Sequence, residues 1–125
     1  MIDVEAALIA WLEDNVAGVH ASTETPSDLD DRLPWLQVVR VGGPYDGFRR
    51  HQPTVDVSAF AVTGPAAAEL ALLVQRLFHE QLWGSTTGGA VFSRVRTNVG
   101  PHGVPYDNPN MRRCEATYAF VIRPA

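Results

Sequence analysis

The residues of this chain that could do chemistry are few and poorly placed to cooperate. His20, His51, His79 and His102 are scattered, and no two stand four apart on a helix as a zinc-binding pair would. His79-Glu80 lacks the second histidine of a zincin motif, so all four read as exposed or partly buried histidines rather than ligands. The single cysteine, Cys114, alternates with Ala116, Tyr118, Phe120 and Ile122, which makes it a small hydrophobe on an apolar strand face. No serine occupies a G-x-S-x-G elbow, and Gly42-Gly43-Pro44 lacks the continuation of a phosphate loop. Asp28, Asp30 and Asp31 cluster in a loop with no apolar surroundings to raise a carboxyl pKa. The expectation is a protein without catalytic, metal-binding or cofactor-binding residues.

The charged residues point elsewhere. The net charge is −4, and all ten basic residues are arginine. An acidic balance argues against a protein whose main work is gripping nucleic-acid phosphates. Arg94 and Arg96 fall on one side of a predicted strand, Arg49-Arg50 precede another, and Arg112-Arg113 open the last. These arginines read either as a solvated sheet face or as partners for acidic groups of a neighbouring copy, with DNA binding a distant third. On the second reading the contact candidates are Asp28, Asp30, Asp31, Arg49, Arg50, Arg94, Arg96 and Arg113.

Two helices and several strands must carry these residues. Val4, Ala7, Leu8, Trp11 and Leu12 recur at helical spacing, with Asp3 placed to cap and Gly18 beyond the end. A second helix is predicted over Ala66–Trp83, opened by Gly64-Pro65 and closed by Gly84. Its inward stripe would be Leu70, Leu73, Val74, Leu77, Phe78 and Leu82. Strands are predicted at Val19–Thr23, Trp35–Val41, Pro53–Thr63, Ala90–Thr97 and Met111–Arg123. In Pro53–Thr63, Val55, Val57, Ala59 and Ala61 alternate with Asp56, Ser58 and Phe60. The order α-β-β-β-α-β-β predicts an α+β fold, a mixed or antiparallel β-sheet with both helices packed on one face. Its core is expected to include Leu8, Trp11, Val38, Val57, Leu73, Leu77, Tyr118 and Phe120.

Asn98–Asn110 is the least ordinary stretch. Thirteen residues with three prolines and two glycines read as a loop longer than usual, either a plain hairpin excursion or a contact loop. Val104, Pro105, Tyr106 and Asp107 would form its tip, held out from the sheet by turns at Asn98 and Asn108.

At 125 residues and 46% hydrophobic, the chain is expected to be one soluble domain, 1–125, with a core of its own. No apolar run approaches the ~18 residues of a membrane helix, and no secretory signal is visible. One cysteine leaves no internal disulfide, as in a reducing compartment.

The run Leu33-Pro34-Trp35-Leu36-Gln37-Val38-Val39-Arg40-Val41-Gly42-Gly43, followed by Pro53-Thr54-Val55-Asp56-Val57, resembles tail terminator proteins of long-tailed phages, especially those of actinobacteria. The Ala-rich second helix and the final strand ending in Phe120-Val121-Ile122 fit the same pattern. The resemblance implies a structural virion protein of the tail and neck, made in the host cytoplasm. Such proteins form a homo-oligomeric, hexameric ring that caps the tail tube, stops its growth and offers a surface to a head-completion or connector protein. It also implies partners in the major tail tube protein and in DNA that passes the lumen without being held, and no catalytic residue to carry over. Another neck component, a connector or stopper, is the alternative within phages. A small ferredoxin-like ligand-binding or enzymatic domain is the alternative outside them.

Overall fold

The computed structural model describes residues 2–43 and 51–125. The elements run α1 (Val4–Asn15), β1 (His20–Ser22), a 3-10 turn (Leu29–Asp31), β2 (Trp35–Gly42), β3 (Thr54–Ala61) and α2 (Gly64–Leu77). A π turn (Phe78–Leu82), β4 (Thr86–Thr87), β5 (Ala90–Val104) and β6 (Arg112–Pro124) complete it. The six strands form one sheet in the order β1-β2-β3-β6-β5-β4. β1 is parallel to β2, and every other pairing is antiparallel. The fold is therefore α+β, with the mixed sheet the sequence predicts.

Both helices begin where their chemistry dictates. The Asp3 carboxylate accepts the Ala6 N–H at 3.0 Å, satisfying one of the orphan donors of α1. Thr63 does the same for Ala66 at 3.2 Å, with Pro65 in the first turn of α2, where a missing N–H costs nothing. The buried face of α1 is Val4, Ala7, Leu8, Trp11 and Leu12, as its spacing requires. On α2 the inward stripe holds except at Leu73, which is only half-buried because it faces a groove rather than the sheet. The helix runs into a π turn in which the Trp83 N–H donates to the Phe78 carbonyl, and both Phe78 and Leu82 are fully buried there. Phe78 packs edge-on against Tyr118 and Phe120 with ring centroids 5.0 and 5.5 Å apart, joining helix to sheet.

The sheet has two unlike faces. Leu36, Val38, Val55, Val57, Ala59, Cys114, Ala116, Tyr118, Phe120 and Ile122 face the helices and form the main core. Among the described residues the opposite face is open apart from a small cluster at one end, where Leu29, Trp35, Phe60 and Met111 bury one another. Leu29 thus pins the acidic loop to the sheet, an anchor its acidic composition conceals.

One sequence expectation is corrected. The stretch from Asn98 does not leave the sheet, because β5 continues to Val104 in antiparallel pairing with β6. The register slips at Phe92/Arg94, Thr97/Val99 and Val99/His102, and these slips absorb Gly100 and Pro101, the residues that read as breakers. Only Pro105–Met111 remains irregular.

Candidate functional site

The open face of the sheet collects most of the predicted contact residues at two separate corners. At one corner Arg94 pairs with Val121 and Arg96 with Ala119 across the β5–β6 ladder, so both guanidinium groups stand on the helix-free side. Both are exposed, and among the described residues neither makes an ion pair or hydrogen bond. They border a depression of about 260 Å³ that also includes Gln52, Thr54 and Asn98.

The other corner is already occupied from within. The Arg113 Nε donates to Ser58 Oγ at 3.1 Å, and its guanidinium lies 3.5 Å from Glu115 and 5.6 Å over the Phe60 ring. Its side chain is only 26% exposed, so Arg113 organises the surface around Phe60 rather than reaching away from it. Beside it Thr117 donates to Asp56 at 2.6 Å, another polar link between β6 and β3.

The acidic candidates divide in the same way. Asp28 is held by Arg32 at 3.0 Å, one helical turn on. Asp30 and Asp31 are exposed on the 3-10 turn, and among the described residues neither carries an ion pair. Their platform is firm because Leu29, between Asp28 and Asp30, is buried against Trp35, Phe60 and Met111. Arg49 and Arg50 lie outside the described residues.

The expected projecting tip lies down on the sheet instead. Tyr106 meets Phe60 edge-on at 5.3 Å between centroids and is 39% exposed. Val104 ends β5 opposite Arg113, and Pro105 and Asp107 are exposed beside the ring. The physical reason is the apolar patch around Phe60, which would face water without the tyrosine.

The groove beside Leu73 escaped the sequence reading. It measures about 530 Å³ and is lined by Leu33, Pro34, Ala61, Val62, Ala66, Leu70 and Leu73, with Glu69 the one charged residue among the described lining. Val62 at its rim is 66% exposed. The only sequence signal was Val62, an apolar residue out of phase with Val55, Val57, Ala59 and Ala61 in the predicted strand, since the groove needs three separate segments to exist.

The remaining reactive groups are built into the structure. Cys114 is buried and its thiol pKa is pushed up by that burial, which disfavours the nucleophilic thiolate. Tyr118 is also raised, chiefly by burial and further by Cys114, and among the described residues its hydroxyl has no hydrogen-bond partner. His79 meets Thr97 Oγ1 at 2.7 Å, His102 lies 2.9 Å from the Gly100 carbonyl, and His20 is 3.6 Å from Glu13. Among the described residues no three histidine, cysteine or carboxylate side chains converge as a metal site would require. No described helix is long and apolar enough to cross a membrane.

Among the described residues, then, unpaired arginines stand at one corner of this face, unpaired carboxylates stand on the turn at the other, and the polar Thr117–Asp56 link lies between them. No curated protein matches the sequence. The family model described as phage tail termination protein matches residues 1–125, the whole chain, and the chain belongs to that family.

Proposed function

We propose that this member of the phage tail termination family caps the tail tube as a homo-oligomeric ring, ends tube polymerisation and presents a surface to a head-completion protein. The observation that carries the reading is the match of the family model to all 125 residues. The described side chains are in keeping with it. The reactive groups are buried or locally bonded, whereas free charges, Asp30, Asp31, Arg94 and Arg96 among them, stand on the surface. On this reading the protein acts by binding and not by catalysis, in the tail or neck of the virion after assembly in the host cytoplasm. The ring is hexameric, the tube protein and a connector are its neighbours, and DNA crosses its lumen without being gripped. The net charge of −4 suits that passage, since like charge does not hold phosphates.

The test is complementation of a tail-termination defect. Tails assembled without this protein should be of uncontrolled length and should fail to join heads, and supplying it should restore both. Restored joining with length control unaffected would move the protein to a connector or stopper role. No effect on either would remove the reading.

A further inference from the structure

The two outer edges of the sheet are chemically unlike. Along β1 and β2, outward backbone N–H groups are closed by carboxylates of α1. Glu5 accepts the Arg40 N–H at 2.9 Å, and Glu13 accepts the Ala21 N–H at 3.4 Å. On the other side, β4 and the residues before it cover only the start of β5. Thr86 and Thr87 pair with Val91 and Ala90, and Ser85 and Gly84 exchange hydrogen bonds with Phe92. From Ser93 to Val104 no described residue pairs with the outer edge of β5. An unpaired edge invites a partner unless something blunts it.

Charge follows the same division. Residues 85–104 contain Arg94, Arg96 and His102 and no carboxylate, whereas residues 13–31 contain six carboxylates and no arginine. Glu13 and Asp28 are engaged within the chain, and of the remaining four, Asp14, Glu24, Asp30 and Asp31, the last two stand side by side on the pinned turn. These two groups of charges cannot meet in one molecule. The acidic turn packs at the Phe60 end of the sheet, where Phe60 opposes Arg113, while Arg94 opposes Val121. Arg113 and Val121 are eight residues apart on one strand, about 26 Å at ~3.3 Å per residue.

We infer that the free β5 edge at Arg94 and Arg96 receives the Asp30–Asp31 turn of a second copy, head to tail. The inference rests on the ring reading and deepens it by naming the two surfaces in contact. A carboxylate can accept from a guanidinium and from an unpaired backbone N–H alike, and α1 closes the other edge of this sheet by the same chemistry. Pairing β5 with β5 of another copy would instead set Arg94 and Arg96 near their own duplicates, like charge against like. Because the two patches differ, the contact is heterologous, the kind that closes into rings.

Two double variants test it, Arg94→Glu with Arg96→Glu and Asp30→Arg with Asp31→Arg, each checked for an unchanged far-ultraviolet spectrum and melting temperature. By sedimentation from micromolar to near-millimolar concentration, with and without tail tube protein, each alone should self-associate at least about tenfold more weakly than the parent. Mixed in equal amounts they should regain parental assembly, because both kinds of contact in the mixture then join opposite charges. If the parent assembles and both variants do so equally well, this contact is wrong and the ring reading stands. If only the arginine variant fails and it recovers with the parent protein, the contact is β5 against β5. A parent that stays monomeric throughout, with tube protein present, removes the ring reading and this contact together.

Discussion

Tyr106 closes over Phe60 edge to face, 5.3 Å between ring centroids, and so ties the turn between β5 and β6 to the apolar end of the sheet's open face. Seen from the sequence, this turn belongs to a loop free to be exchanged. Seen in the fold, it is a lid on the cluster of Leu29, Trp35, Phe60 and Met111.

Replacing Val104–Asp107 by a Gly-Ser stretch should therefore cost stability, on the order of 1 kcal/mol from the aromatic pair. Restoring only the tyrosine within that stretch should recover most of it. Urea denaturation checks both; an unchanged midpoint in the first variant would show that the ring contact contributes nothing.

Leu77→Ala should destabilise by about 2–5 kcal/mol, because the side chain is buried under α2 and its removal leaves a cavity. Leu72→Ala, on the same helix but 54% exposed, should stay within about 0.5 kcal/mol. Chemical denaturation of the pair tests the assignment of the helix face.

Gly88 lies at the turn between β4 and β5 with φ +59°, and a Cβ there would come within 2.6 Å of the Ala7 Cβ on α1. Gly88→Ala should cost about 1–3 kcal/mol through the clash and the left-handed backbone together. Adding Ala7→Gly should relieve the Cβ–Cβ clash, leaving the left-handed backbone and the 3.0 Å approach to the Cα of residue 7. A double-mutant cycle in which the two changes are simply additive would contradict the close approach.

Tyr118→Phe should leave stability at neutral pH unchanged or raised, since the lost hydroxyl is buried and has no partner among the described residues. The alkaline limb should also change. With its folded pKa raised above the unfolded value of about 10, Tyr118 contributes fully below that pH, and the contribution is lost as pH rises beyond it. The phenylalanine variant should lose less stability between neutral and strongly alkaline pH, an effect easily seen because the chain has no lysine. Parallel pH–stability curves for the two proteins would count against the burial of that hydroxyl.

The helices were legible because a helix face repeats on a local period. Val4 to Leu12 states its buried side within three turns, and Asp3 and Thr63 cap by reaching only three residues on. The helix-facing alternation in β3 and β6 was legible for the same local reason. What escaped depends on residues far apart in sequence. Gly100 and Pro101 look like breakers until β6 supplies a partner for β5, and Leu73 looks like core until Leu33 and Pro34 open a groove against it. Arg113 reads as a free cation until Ser58, 55 residues away, accepts its Nε–H. The charge clusters could be found in the sequence, but which were already spent could not.

The three register slips in β5 have a further consequence. Each leaves the strand locally unmatched and adds twist, and Pro101 removes a backbone donor, so the bare edge is no straight template for a second strand. Such an edge resists zipping into amyloid-like stacks while leaving its arginines displayed. On the proposed ring reading, subunits with such an edge stay apart until side-chain charge and shape bring them together. A protein that ends one polymer must not seed another.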